Sequence, residues 1–209
     1  MLSAETVLAF FTASLVLGVA PGPDNVFVLA QSTLHGPRAG LLVVLGLCTG
    51  LVVHSLAVAL GAAAVFQSSA LAFSVLKFGG AAYLLVLAWK AFTAGAVAEP
   101  GAGPPSGPGR WQLYRRGVIM NITNPKVSIF FLAFLPQFAD PTRGSVALQI
   151  VLLGGLFIVA TILVFGSVAL AAGSLRDRLF RSERAQRVLS RLTGIVFVGL
   201  ALRLGTAQR

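Results

Sequence analysis

The amino-acid sequence predicts an all-α, polytopic membrane protein of about six spans. These form two inverted three-helix repeats in which helices one and four are broken. Three observations predict it. Of the 209 residues, 56% are hydrophobic and only 11% charged, with a mean hydropathy of +0.89. A soluble domain carries about 25% charged residues, because it must cover its core with polar surface. The apolar residues are also clustered, since no Asp, Glu, Lys or Arg occurs from Ala39 to Leu76 or from Gly144 to Leu175. Each stretch exceeds the ~20 apolar residues needed to cross the hydrocarbon of a bilayer. Finally, a single Pro- and Gly-rich segment splits the chain into two sets of three apolar runs.

The first run is Ala4–Thr33, ended by His35-Gly36-Pro37-Arg38. Met1–Thr6 contains Glu5 and no basic residue, so a cleavable secretory signal is not expected and this run reads as a retained span. The second run, Ala39–Phe66, stops at Gln67-Ser68-Ser69, and the third is Ala70–Thr93. Together, residues 1–93 form the first expected repeat. The segment Ala94–Gly109 is too rich in Ala, Gly and Pro to hold a helix or sheet, and it sets residues 94–110 as a flexible linker. In the second repeat, residues 111–209, the runs are Trp111–Phe138, Ser145–Gly173 and Val188–Gly205. A basic loop, Arg176–Arg187, precedes the last.

Two matches relate the halves. Lys77-Phe78-Gly79-Gly80-Ala81-Ala82-Tyr83-Leu84 parallels Arg191-Leu192-Thr193-Gly194-Ile195-Val196-Phe197-Val198, and Pro21 in helix one corresponds to Pro125 in helix four. Three spans per repeat would invert one half relative to the other, the plan of many secondary transporters. With six spans, eleven basic residues near helix ends fall on one side and four on the other, while Lys126 lies mid-span. The positive-inside rule then places the linker in the cytoplasm and both termini outside.

The net charge of +10 does not point to nucleic acid, because the basic residues cap hydrophobic runs. Lipid headgroups and a topogenic role account for them. The lone Cys48 excludes an intramolecular disulfide and reads as a packing residue.

Chemistry concentrates at the two breaks. Helix one contains Gly18-Val19-Ala20-Pro21-Gly22-Pro23-Asp24-Asn25. Its prolines remove two amide donors, so the helix must kink or unwind there. Irregular backbone cannot face lipid, which directs this break toward protein or a watery cavity. Asp24 is the only acid inside a span, at a cost of about 2.5–3.5 kcal/mol at mid-membrane, and such residues mark solute pathways and proton relays. The competing reading ends the helix at Pro21 and makes Asp24 an interfacial N-cap, against which stands the apolar continuation Asn25–Thr33. Helix four contains Asn121-Ile122-Thr123-Asn124-Pro125-Lys126. Lys126 is too deep to snorkel, so it pairs with an acid or lines a cavity; a purely structural ion pair is the alternative.

The Pro-Gly-Pro break of helix one, the Gly36-Pro37-Arg38-Ala39-Gly40 turn after it and the Asn124-Pro125-Lys126 break of helix four together resemble the LysE family. That family comprises the lysine, homoserine and threonine exporters. The resemblance extends to the length, the two sets of three spans and the central linker. It implies amino-acid efflux across the bacterial cytoplasmic membrane, driven by the proton gradient.

The expected site therefore lies between the broken helices. Asp24, Lys126, Asn121, Asn124, Pro21, Gly22, Pro23, Asn25 and Pro125 would bind substrate or couple protons. Asp24 and Lys126 are expected close together across that interface. The expected partners are a small amino acid, protons and the bilayer, with no nucleic acid; a homo-oligomer is left open. His54 reads as a hydrogen-bonded packing residue or a proton relay, and Gln31 and Thr49 could reach a cavity. Gly18-x-x-x-Gly22 and Gly46-x-x-x-Gly50 read as helix-packing steps.

No nucleotide loop or metal-ligand cluster is visible, so no cofactor, metal or enzymatic activity is expected. Three rivals stand beside amino-acid export. They are another small solute or a cation on the same fold, an intramembrane enzyme using Asp24 or His54, and a structural subunit.

Overall fold

The computed structural model describes residues 2–20, 22–68, 70–93, 108–172 and 183–206. Pro21, residues 94–107 of the expected linker and residues 176–182 of the expected basic loop lie outside the described residues.

Helix one is broken into α1 (Ala4–Val19) and α2 (Pro23–His35), bent by 61°. Ser3 caps α1, its hydroxyl accepting from the Thr6 amide. The proline at the first position of α2 loses nothing, since that amide would be unpaired in any case. Gly36 closes α2 at φ +85°, a left-handed conformation that suits glycine. The next helix, α3 (Pro37–Ser68), begins at once, and α4 (Ala70–Thr93) follows it.

The second half repeats the pattern. Helix α5 (Arg110–Thr123) and α6 (Pro125–Ile129) meet at Asn124, and the broken helix running on to Phe138 bends by 50°. Beyond α6 the backbone widens into a π-helical turn, Phe130–Phe134, then tightens into a 3-10 turn, Leu135–Phe138. Pro136 accounts for both. It has no amide to give the Leu132 carbonyl, and its ring crowds that oxygen. After a short 3-10 turn at Pro141–Arg143 come α7 (Val146–Leu170) and α8 (Glu183–Thr206). Helix α8 starts before the expected Val188, so the end of the expected basic loop is helical. Glu183-Arg184-Ala185-Gln186-Arg187 are strong helix formers.

Lipid provides no hydrophobic drive between helices, so close approach and hydrogen bonds must hold them together. Small residues mark the contacts. A Cβ on Gly46 would lie 2.9 Å from the Gly117 Cα, and one on Gly50 would lie 2.6 Å from the Asn121 amide oxygen. Helices α3 and α5 therefore run parallel and nearly backbone to backbone. Gly18 meets Val164 and Phe10 meets Phe157, so α1 and α7 run parallel as well. Gly154 meets Ser55 and Gly40 meets Ala169, which makes α3 and α7 antiparallel. Gly80 meets Leu204 and Gly194 meets Phe92, which does the same for α4 and α8. Gly80 and Gly194 are the equivalent glycines of the internal match.

Outward faces are apolar. Leu45, Val52, Leu56 and Leu60 on α3, with Leu148, Leu152, Val159, Leu163 and Leu170 on α7, are exposed stripes at helical spacing. Among the described residues, two helices are long and apolar enough to cross a membrane, Pro37–Gly61 within α3 and Val146–Leu170, or four if each bent pair is one span. The chain is a multi-pass, all-α membrane protein.

Between the helix breaks and the end of the bundle that holds Ser3 and Ser145, six rings form a buried layer. Phe10 from α1, Phe130, Phe131, Phe134 and Phe138 from the distorted helix, and Phe157 from α7 pack with centroids 4.9–6.5 Å apart.

Candidate functional site at the helix breaks

Both breaks turn inward and meet. Asp24 stands in the first turn of α2 and Lys126 in the first turn of α6, and both are buried, at 3% and 8% exposure. Each follows the proline that opens its half-helix. By cap position Pro23, rather than Pro21, is thus the counterpart of Pro125, and Asp24 and Lys126 occupy equivalent places in the two halves with opposite charge. This revises the Pro21–Pro125 register, which rested on proline content alone.

An anion at the start of α2 faces the positive end of that helix dipole. Lys126 gains nothing from its own helix start, and its ammonium reaches across to the end of α1. There it donates to the Leu17 and Ala20 carbonyls, both at 3.3 Å. These are acceptors that the break leaves without intrahelical donors. Gly22 makes room for it, since a Cβ there would lie 3.2 Å from the amine. In the expected packing pair Gly18-x-x-x-Gly22, only Gly18 packs against another helix; Gly22 borders the site.

Lys126 and Asp24 do not bond directly. Asn124 stands between them, capping α6 by accepting from the Lys126 amide at 3.0 Å while its side-chain N–H donates to the Asp24 carboxylate at 2.7 Å. The other Asp24 oxygen is buried without a hydrogen-bond partner, as are the amide oxygens of Asn25 and Asn121. Asn25 donates to the Gly18 carbonyl at 2.8 Å, bridging the first break.

Asp24, Asn121 and Lys126 line a cavity of about 20 Å³, room for roughly one water molecule. Leu17, Gly18, Leu47, Val127, Phe157, Thr161 and Phe165 complete its wall. Sequence reasoning did not find these seven as lining residues. Thr161 alone carried a signal, as a polar residue deep in the apolar run of α7. His54 bonds the Asn121 carbonyl at 3.3 Å and packs beside Phe131, so it supports the end of α5 at the second break. Thr49 points elsewhere, bonding the Tyr114 hydroxyl at 3.0 Å. Gln31 is buried, with its amide oxygen unpartnered. Among the described residues, no cluster of three His, Cys, Asp or Glu could hold a metal ion.

A model of LysE type translocators matches residues 15–208, which include the C-terminal end of α1 and every residue named above at the two breaks. The chain belongs to the LysE type translocator family. Membership of a translocator family is consistent with transport. Similar proteins cover nearly the whole chain. It is 34% identical to an uncharacterised membrane protein of Vibrio cholerae, over 96% of this chain and 97% of that one. It is 32% identical to the homoserine/homoserine lactone efflux protein of Salmonella typhimurium, over 98% of each. A leucine efflux protein of the same organism is 25% identical, over 95% of this chain and 94% of its own length. No solved structure matches. Within this LysE-type chain, the match takes in both helix breaks and the facing α7.

Proposed function

We propose that this protein is a secondary transporter that exports a neutral amino acid, or a close derivative, across the bacterial cytoplasmic membrane in exchange for protons. One observation carries the reading. The two helix breaks bring a buried carboxylate with a free oxygen and a buried ammonium to one small cavity. An amino acid's own charges complement that pair. Its ammonium supplies donors to Asp24 and to the unpartnered amide oxygens, and its carboxylate meets Lys126 and the start of α2, which no side chain caps. Between substrates, Asp24 takes the exchanged proton.

The rest of the wall favours a neutral side chain. Leu17, Leu47, Val127, Phe157 and Phe165 are apolar, and Thr161 offers a single hydroxyl. A basic side chain would bring a second cation beside Lys126 with one carboxylate to serve both. The relatives named for homoserine and leucine efflux support both the neutral class and the outward direction.

Six spans in two inverted repeats fit the packing. Under an inverted repeat, the α1–α7 contact corresponds to the α5–α3 contact, and both pairs run parallel. The α3–α7 and α4–α8 pairs map onto themselves and are antiparallel. The cavity holds about one water, so substrate requires the halves to move apart, and alternating motion of two repeats about the fixed breaks supplies that opening.

Counterflow of labelled amino acids in proteoliposomes tests the reading. The expected result is exchange of one or more neutral amino acids, with proton movement opposite to substrate and no exchange of lysine. Exchange of lysine alone would refute the neutral class, and no counterflow of any amino acid would refute the function.

A further inference from the structure

A second cavity, of about 600 Å³, opens on the surface between α2 and α5 and shares no lining residue with the site above. Its walls are Phe27, Gln112, Arg115, Arg116, Ile119 and Met120. We propose that this groove binds one anionic phospholipid in the leaflet on the side of the Gly36 turn.

The groove is ordered along α5 like a lipid molecule. Trp111, stacked on Tyr114 at 5.3 Å and 69% exposed, opens the helix. Exposed tryptophans of this kind settle at the membrane–water interface. One turn deeper come Arg115 and Arg116, both exposed, with the Gln112 amide beside them. Ile119, also exposed, and Met120 lie a further ~6 Å along the axis. Headgroup depth is thus occupied by donors and acyl depth by hydrocarbon. Phe27 forms the opposite wall, and the Arg116 guanidinium lies 5.8 Å from its ring centre, which fixes one donor plane over the groove. Neither arginine meets a carboxylate among the described residues. Two guanidiniums with free N–H forks match phosphate oxygens, which accept two parallel bonds from each. A free anion would leave the apolar half of the groove uncovered, whereas a phospholipid covers both halves.

The test uses the full chain in proteoliposomes of phosphatidylcholine, with Trp89→Phe so that Trp111 is the remaining tryptophan. A lipid brominated on its acyl chain is added as phosphatidylglycerol or as phosphatidylcholine, and Trp111 quenching is recorded against its mole fraction. The groove predicts a preference for the anionic lipid on the order of tenfold, because both headgroups present a phosphate but the choline cation of phosphatidylcholine opposes the two arginines, each worth about 1 kcal/mol against net negative charge. Arg115→Gln/Arg116→Gln should abolish the preference, and Arg115→Lys/Arg116→Lys should keep part of it. Added inorganic phosphate or glycerol phosphate should not relieve the quenching. Equal quenching by both lipids would overturn the proposal, as would a preference that survives the glutamine variant or displacement by a soluble anion. Counterflow by the glutamine variant is read separately, so loss of lipid selectivity is distinguishable from loss of transport.

Discussion

Replacing Lys126 by methionine should damage stability and transport together, and a second change should separate them. The substitution removes an ammonium that donates to two carbonyls at the end of α1, each at 3.3 Å. It leaves those acceptors buried, and it strips the compensating cation from Asp24, which is 3% exposed. Breaking a buried charge pair costs about 3–5 kcal/mol. Because Asn124 separates the charges and the bonds are long, the low end applies, about 3 kcal/mol. Asp24→Asn/Lys126→Met removes both charges, and the asparagine can still accept from Asn124. The double variant should therefore recover about 1–2 kcal/mol relative to the sum of the singles, within the usual range for coupled neighbours. In a chain of this size that is roughly 2–8 °C in Tm. Thermal unfolding in detergent, followed by the fluorescence of Trp89 and Trp111, measures it. Flux should be absent in Asp24→Asn, Lys126→Met and the double variant alike, since each leaves at least one substrate charge without its partner. Strictly additive losses in stability would show that the two charges do not share an environment. Wild-type flux in either single variant would refute the site.

Three further outcomes are expected. Gly117→Leu should destabilise the protein by about 1–3 kcal/mol through overpacking, because a Cβ there would already lie 3.1 Å from the Gly46 Cα; unchanged thermal stability would contradict the α3–α5 contact. The Thr142 hydroxyl and amide, with Arg143, hold the exposed Asp140 carboxyl below its ordinary value, so its contribution is present above the usual carboxylate range and lost as pH falls through the lowered value. Asp140→Asn should accordingly lower the neutral plateau of a stability–pH curve slightly and flatten its acid limb, so that the two proteins converge at low pH. Ser106→Cys should resist an impermeant thiol reagent in intact cells and react after permeabilisation, and labelling from outside would reverse the inferred topology.

The breaks were legible in sequence because proline acts locally, removing its own amide and crowding a carbonyl one turn back. The meeting of Asp24 and Lys126 was suggested by the cost of isolated charge in hydrocarbon, a constraint that holds whatever the packing. What bridges them was not legible. The sequence marks Asn124 as a break residue and a member of the site, but that its donor and acceptor ends serve Asp24 and the Lys126 amide at once depends on a residue 100 positions away. The π-helical turn escaped for a related reason, because Pro136 signals a disturbance without saying how the backbone relieves it. Leu47, Phe157 and Phe165 look like any lipid-facing residue in an apolar run, and only tertiary packing turns them toward the cavity. The late start assigned to α8 came from treating arginines as loop residues when they are good helix formers.

The layer of six phenylalanines has an electrical consequence. Packed rings with no polar atom form a dielectric, and a membrane voltage falls across dry layers far more than across wet ones. A charge that gains access from one side of this layer and later from the other crosses most of the voltage in that one step. Such a move is worth up to about 2.3 kcal/mol per elementary charge for every ~100 mV. For the proposed exchange, the thickness of that aromatic layer, rather than of the whole bilayer, would then set how strongly the cell's potential drives each turnover.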